Sequence, residues 1–210
     1  MRALVTGASR GIGAALLAEG HARGHGVTGT SRAGGEGLLA LDVTDGCLQT
    51  ACASATGAID LLVCNAGVYL DKGVGLDGLT GDMLQATFAA NVTGVALTVK
   101  AQRRNLSRGG RIAIVSSAMG SSERAAGNAF AYRASKTAAA NLGANLARAL
   151  AADGIAVGIY HPGWVRTDMG GAGADISPEQ SARGLWDRFE ALGPATTGEF
   201  LNHDGTPIPF

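Results

Sequence analysis

Short apolar runs alternate with alanine-rich stretches of helical length along the whole chain, and this alternation limits the fold more than any other feature. Ala3–Val5 reads as a strand that stops at Thr6-Gly7, and Ala14–Ala22 as a helix ended by Gly24. Val27–Thr30 and Leu38–Val43 read as the second and third strands. Thr44 or Asp45 then caps a helix around Leu48–Ala55. Ile59–Cys64 is nearly continuous in apolar residues, as a strand covered on both faces should be. Asp82–Asn105 predicts one long helix weakened by Gly94, and Arg111–Val115 a fifth strand. Ala131–Ala152 predicts a long helix with Asp153-Gly154 beyond its end. Ile155–Tyr160 is a sixth strand, stopped by His161-Pro162-Gly163, and Glu199–Leu201 a short seventh. Strands separated by helices pair in parallel through right-handed crossovers. The expected fold class is therefore α/β: one doubly wound parallel sheet with helices on both faces, over residues 1–210 as a single domain.

Composition narrows the function classes. Charges balance at 17 basic and 17 acidic residues, which gives no basic field for nucleic acid. No apolar run approaches the roughly 18–20 residues of a membrane span. Met1 leads straight into the first strand, so the expectation is a cytoplasmic protein without a signal peptide. Cys47, Cys52 and Cys64 are odd in number and lack Cys-x2-Cys spacing, so they predict structural thiols and no metal site. Glycine is the outlier: 33 of 210 residues, roughly twice the usual share.

Part of that glycine sits where chemistry needs it. Thr6-Gly7-Ala8-Ser9-Arg10-Gly11-Ile12-Gly13 joins the first strand to the first helix. Glycines at such a turn permit a tight bend, close backbone approach to a pyrophosphate and close helix–strand packing. The helix N-terminus adds free N–H groups and partial positive charge. A second pattern lies downstream. Tyr132-Arg133-Ala134-Ser135-Lys136 sets a phenol and an ammonium on one helix face, at i and i+4, where the cation favours phenolate. Ser116 and Ser117 stand at the carboxyl end of the fifth strand, where open α/β sheets bind ligands.

The Gly-x3-Gly-x-Gly spacing behind Thr6, together with the serine strand and Tyr-x3-Lys, resembles the short-chain dehydrogenase/reductase family, whose fold is Rossmann-type. The wording of Tyr132–Lys136, of His161-Pro162-Gly163-Trp164-Val165-Arg166-Thr167-Asp168-Met169-Gly170-Gly171 and of the tail from Gly198 looks like its C-factor/sniffer-like branch. The resemblance implies a catalytic set of Asn91, Ser117, Tyr132 and Lys136, with Ser116 as the fallback serine. Ser117 would bind the substrate oxygen and Tyr132 would exchange its proton. Lys136 would hold the nicotinamide ribose and lower the Tyr132 pKa, and Asn91 would link Lys136 to solvent through water. The cofactor contacts it implies are Gly7, Ser9, Arg10, Gly11, Ile12 and Gly13 in the turn. To these it adds Asp42 and Val43 at adenine, Asn65, Ala66 and Gly67 after the fourth strand, Tyr132 and Lys136 themselves, and Pro162, Gly163, Val165 and Thr167 after the sixth.

Cofactor type is read from the end of the second strand. An NAD site places a carboxylate about 20 residues after the glycine turn. Here Ser31 and Arg32 occupy that place, and from the second strand onward no carboxylate stands before Glu36. With Arg10 as a second guanidinium, NADP(H) is the expected cofactor. The expected activity is NADPH-dependent reduction of a small-molecule carbonyl to an alcohol. The alternative is an NADP-binding sensor or signalling module. Only five residues separate Arg32 from Leu38, too few for the family's usual helix. The Gly/Ala-rich stretch from Asp168 to Ser177 predicts an open specificity loop. By resemblance the chain pairs as a homodimer or homotetramer through Asp82–Asn105 and Ala131–Ala152. The latter carries small residues, Ala138, Ala139, Ala140, Gly143 and Ala147, that permit close helix contact, although small faces also pack against the chain's own sheet.

Overall fold

The computed structural model describes residues 1–35 and 37–210. Among them seven strands form one sheet: β1 (Arg2–Val5), β2 (Gly26–Ser31), β3 (Leu38–Ala40), β4 (Ile59–Cys64), β5 (Leu106–Val115), β6 (Ala156–His161) and β7 (Phe200–Asn202). Their order is β3-β2-β1-β4-β5-β6-β7 and every pairing is parallel. The helices are α1 (Gly11–Ala22), α2 (Gly46–Thr56), α3 (Gly81–Phe88), α4 (Gly94–Gln102), α5 (Phe130–Ala149) and α6 (Pro178–Ala191).

Strand periodicity divides the apolar residues between two cores. Leu4, Leu62, Ile112, Ile114 and Val157 point to one face, where Val95, Val99, Ala147 and Leu150 of α4, α5 and its end cover them. Ala3, Val5, Leu61, Val63, Ala113, Val115 and Tyr160 point to the other, under Leu16 of α1 and Leu185, Trp186 and Phe189 of α6. Burial on both faces is why Ile59–Cys64 reads as an unbroken apolar run rather than an alternating one. The strand order reverses between β1 and β4, and the crevice at their carboxyl ends is where such sheets take ligands.

Four sequence expectations change. The helix expected over Asp82–Asn105 is three pieces, because α3 passes through a π-turn at Ala89–Thr93 before α4 begins. The wide turn inserts one extra residue and rotates Asn91 into the interior, where it is 1% exposed. Gly94 is also less a weakness than a fit: a side chain there would lie 2.6 Å from Val43 Cγ2. The stretch from Asp168 to Ser177 is not open. Trp164 and Ile176 exchange backbone bonds with their neighbours (Arg166 N to Ile176 O, 2.9 Å; Ile176 N to Trp164 O, 3.1 Å), and Arg166 Nη1 donates to the Ala174 and Asp175 carbonyls. The small residues of α5 mostly serve the chain's own sheet. Ala139, Ala140, Gly143 and Ala147 are buried, and a Cβ on Gly143 would lie 2.5 Å from Ile159 Cγ1. Finally α6, unassigned in the sequence reading, supplies the two largest fully buried side chains, Trp186 and Phe189. The short β2–β3 connection agrees with expectation, with no helix among its described residues. No helix among the described residues is long and apolar enough to cross a membrane.

Candidate active site

The glycine positions of the turn between β1 and α1 leave little room for a side chain. Gly7 and Gly11 hold φ of +67° and +56°, the left-handed region that favours glycine. A Cβ on Gly7 would lie 2.8 Å from Ala66 Cα, and one on Gly13 would collide with the Gly7 carbonyl oxygen. Helix α1 starts with no side-chain cap and no acid in its first turn, so among the described residues its leading N–H groups have no side-chain acceptor. Ser9 and Arg10 are exposed beside it, while Ile12 packs against the core. Asn65 braces the turn from the end of β4. Its Nδ2 donates to the Thr6 and Gly7 carbonyls at 3.0 Å each, and Thr6 Oγ1 accepts from the Asn65 and Ala66 N–H groups.

At the far end of this crevice stand the residues read for cofactor type. Ser31 Oγ accepts from Gly34 N at 3.0 Å, closing the turn after β2, and Arg32 is exposed next to it. Asp42 accepts from the backbone and hydroxyl of Thr44, which together with Arg32 hold its carboxyl below the usual range. Val43 is half-buried against Gly94. Arg10 does not stand free: its guanidinium pairs with the Asp168 carboxylate, both groups exposed.

Ser117, Tyr132 and Lys136 converge at the carboxyl end of β5. The Ser116 hydroxyl is turned away, donating to the Lys136 carbonyl at 2.8 Å. Ser117 Oγ accepts from Met119 N at 3.1 Å and lies close enough to the Tyr132 phenol to influence its ionisation. Lys136 Nζ donates to the Val115 carbonyl at 3.0 Å and lies 5.6 Å from the Tyr132 ring centre. Burial pulls the Lys136 ammonium down to about 8. Burial also pushes the Tyr132 phenol up to about 12, with the nearby Ser117 hydroxyl opposing. In the chain alone desolvation dominates the phenol, and Lys136 Nζ is turned to the Val115 carbonyl.

Asn91 is close by but differently employed. Its Oδ1 accepts from Val68 N at 2.8 Å, and its Nδ2 donates to Val68 O and to Ser135 Oγ at 2.9 Å each. It thus pins the loop after β4 to α5. Gly67 keeps the space between Asn91 and Lys136 clear: its missing Cβ would lie 2.9 Å from Asn91 Oδ1 and 3.6 Å from Lys136 Nζ.

The segment after β6 covers the opposite side. Pro162 is buried, with its carbonyl accepting from Ser181 Oγ, and Gly163 holds φ of +87°. Val165 is buried, and Thr167 Cγ2 would be 3.3 Å from a Cβ on Gly11, so this segment closes directly over the glycine turn.

A family model described as short chain dehydrogenase matches residues 1–175. The chain belongs to the short chain dehydrogenase family. It is 32% identical to the 1-hydroxy-2-glutathionyl-2-methyl-3-butene dehydrogenase of Rhodococcus sp. (strain AD45), over 97% of this chain and 96% of that one. It is 35% identical to the C-signal protein of Myxococcus xanthus, over 74% of this chain and 95% of that one. Its backbone is similar to the NADPH-bound carbonyl reductase from chicken fatty liver, with a TM-score of 0.89, 26% identity, and coverage of 100% and 98%.

Within this short chain dehydrogenase three further residues border the site that the sequence reading passed over. Tyr69 stacks on Tyr132, ring centres 4.3 Å apart and planes 20° apart. Asp71, fully buried, accepts from the backbone of Ala131 and Tyr132. Arg133 donates to the Met119 and Arg124 carbonyls and to Asn128 Oδ1, stapling the loop between Ser117 and α5. Only the last lay inside a motif already in view.

Proposed function

We propose that this short chain dehydrogenase reduces a carbonyl compound, an aldehyde, ketone or quinone, to its alcohol with NADPH. The observation that carries the reading is the grouping of Ser117, Tyr132 and Lys136 at the carboxyl end of β5, on the same sheet end as the tight glycine turn. The residues fit a dinucleotide: the uncapped start of α1 and the bare turn at Gly7, Gly11 and Gly13 would hold its pyrophosphate. Arg32 and Arg10 would meet a 2′-phosphate, Asp42 and Val43 the adenine, and Val165 and Thr167 the nicotinamide side. When bound, the cofactor supplies the hydride.

The chain's own groups do the rest. Ser117 Oγ donates to the carbonyl oxygen and places it beside the phenol. Tyr132 gives that oxygen its proton as negative charge develops on it. A phenol held at about 12 is fully protonated at neutral pH, as a donor must be. Lys136, charged below about pH 8, stands 5.6 Å from the Tyr132 ring and favours the phenolate left behind. Asn91 and Gly67 keep open a path by which a proton returns to Lys136 from solvent. The stacked Tyr69 ring and the exposed Trp164 and Met169 give the substrate apolar walls.

The chain would associate as a homodimer or homotetramer through a groove on the outer side of α5, where Phe88, Ala134, Ala138, Asn141, Leu142 and Asn145 come together.

The test is NADPH oxidation against a panel of aldehydes, ketones and quinones, followed by absorbance at the nicotinamide band. Turnover with at least one class supports the reading. Tight NADPH binding with no turnover on any would favour the sensor instead.

A further inference from the structure

The start of α5 is capped from outside the helix. Its N-cap position is Ala129, which has no side-chain acceptor and holds φ of +51°, a left-handed conformation rare for a residue with a Cβ. The first N–H groups of a helix must nevertheless find acceptors when buried. Asp71 provides them from sixty residues away. Its Oδ2 accepts from Ala131 N at 2.7 Å and its Oδ1 from Tyr132 N at 3.2 Å, and the carboxylate is 0% exposed. No lysine or arginine pairs with it among the described residues, so the helix N-terminus itself balances the charge.

The stretch leading into Asp71 is fixed around Tyr132. Asn91 holds Val68 by its N–H and its carbonyl, and Tyr69 lies flat on the Tyr132 ring. One of the two groups that Asp71 grips is the main chain of Tyr132 itself.

We infer that Asp71 is a positioning residue for the reaction: its carboxylate caps α5 across the site and fixes where the Tyr132 phenol stands relative to Ser117. The inference rests on the reading of Tyr132 as proton donor. A misplacement of the reacting group by about 1 Å lowers turnover on the order of 100-fold while leaving binding elsewhere intact. Asp71 touches no part of the glycine turn, so the hold of that turn on the NADPH pyrophosphate is independent of it.

The experiment compares the full chain with Asp71→Ala and Asp71→Asn. The readouts are kcat and KM for the best carbonyl substrate, the Kd for NADPH, and hydrogen exchange at the Ala131 and Tyr132 amides. Asp71→Ala is expected to lower kcat roughly 30- to 100-fold, with NADPH Kd unchanged within about twofold. Exchange at the two amides rises while the later turns of α5 keep their protection. Asp71→Asn, whose amide oxygen still accepts one bond, restores kcat to within about tenfold of the parent. The inference is overturned if Asp71→Ala retains kcat within twofold. It is equally overturned if exchange rises throughout the chain in both variants, since the carboxylate then holds only the fold. Failure of the parent to reduce any carbonyl would instead remove the reading of Tyr132, and the exchange arm would still show whether Asp71 caps the helix.

Discussion

Lys136 Nζ stands 5.6 Å from the centre of the Tyr132 ring, one helical turn away on α5, and both groups are enclosed by protein. Enclosure moves their ionisation in opposite directions, down to about 8 for the ammonium and up to about 12 for the phenol. Each is thereby biased to its uncharged form. The pair is a donor and a cation held under electrostatic tension, which a bound anionic cofactor and a developing alkoxide would relieve.

That tension has a stability consequence. A lysine whose folded pKa lies below its unfolded value binds fewer protons when folded, so stability rises with pH between about 8 and 10.5. Tyr132 acts with the opposite sign at higher pH, losing stability between about 10 and 12. Lys136→Met removes the first effect. Urea unfolding at pH 7 should show the variant more stable by roughly 1–3 kcal/mol, with the rise between pH 8 and 10.5 gone. A less stable variant at pH 7 would mean that the ammonium is compensated by contacts other than Val115.

Turnover should follow the same lysine. Below about pH 8 its charge is present, and above that it is lost, so kcat for carbonyl reduction is expected to fall as pH rises through that point. A pH–rate profile flat to pH 10 would separate Lys136 from the proton relay.

How much of this was legible in advance depended on the kind of residue. The parallel sheet was readable because Ile59–Cys64 and its neighbours are apolar on both faces, and that pattern has few alternative uses. The glycine turn and Tyr132–Lys136 were readable because spacing carries their chemistry. Helix α6 escaped although its start is written out: Ser177, Pro178 and Gln180 make a capping box with proline in the first turn. The bent path of Asp82–Asn105 escaped because a π-turn has no composition of its own; only its result, a buried Asn91, marks it. Asp71 could not be read at all. Its partners are backbone N–H groups sixty positions away, and an aspartate after β4 looks like any loop residue.

The cofactor end of the site offers a charge test. Ser31→Asp places a carboxylate where a 2′-hydroxyl would be bound and a 2′-phosphate repelled. The ratio of NADPH to NADH affinity, measured by nicotinamide fluorescence, should fall by about 10- to 100-fold. Arg32→Ala should move it the same way by a smaller factor. Unchanged ratios in both would place the adenosine ribose elsewhere.

Packing at the glycine turn leaves less latitude. In Gly13→Ala the new methyl collides with the Gly7 carbonyl oxygen and lies 2.8 Å from Asn65 Nδ2. NADPH affinity should drop by roughly two orders of magnitude, since the turn must shift from the position that accepts a pyrophosphate. Isothermal titration would read the loss directly; an affinity within threefold of the parent would contradict the assignment of the turn.

The outer face of α5 is open to a similar test. Ala138→Arg places a long cation in the groove beside Phe88 and Leu142. Light scattering should show a smaller assembly than the parent, with a folded chain by circular dichroism. An unchanged mass would move the subunit contact to another face.

The most direct measurement is single-turnover NADPH oxidation by Tyr132→Phe beside the parent chain, on whichever carbonyl the parent reduces fastest. Phenylalanine keeps the stacking on Tyr69 and removes only the hydroxyl. The account predicts that hydride transfer falls by at least about 1,000-fold while NADPH binds within twofold of the parent. Oxidation at a rate within tenfold of the parent would contradict it and remove Tyr132 as the proton donor.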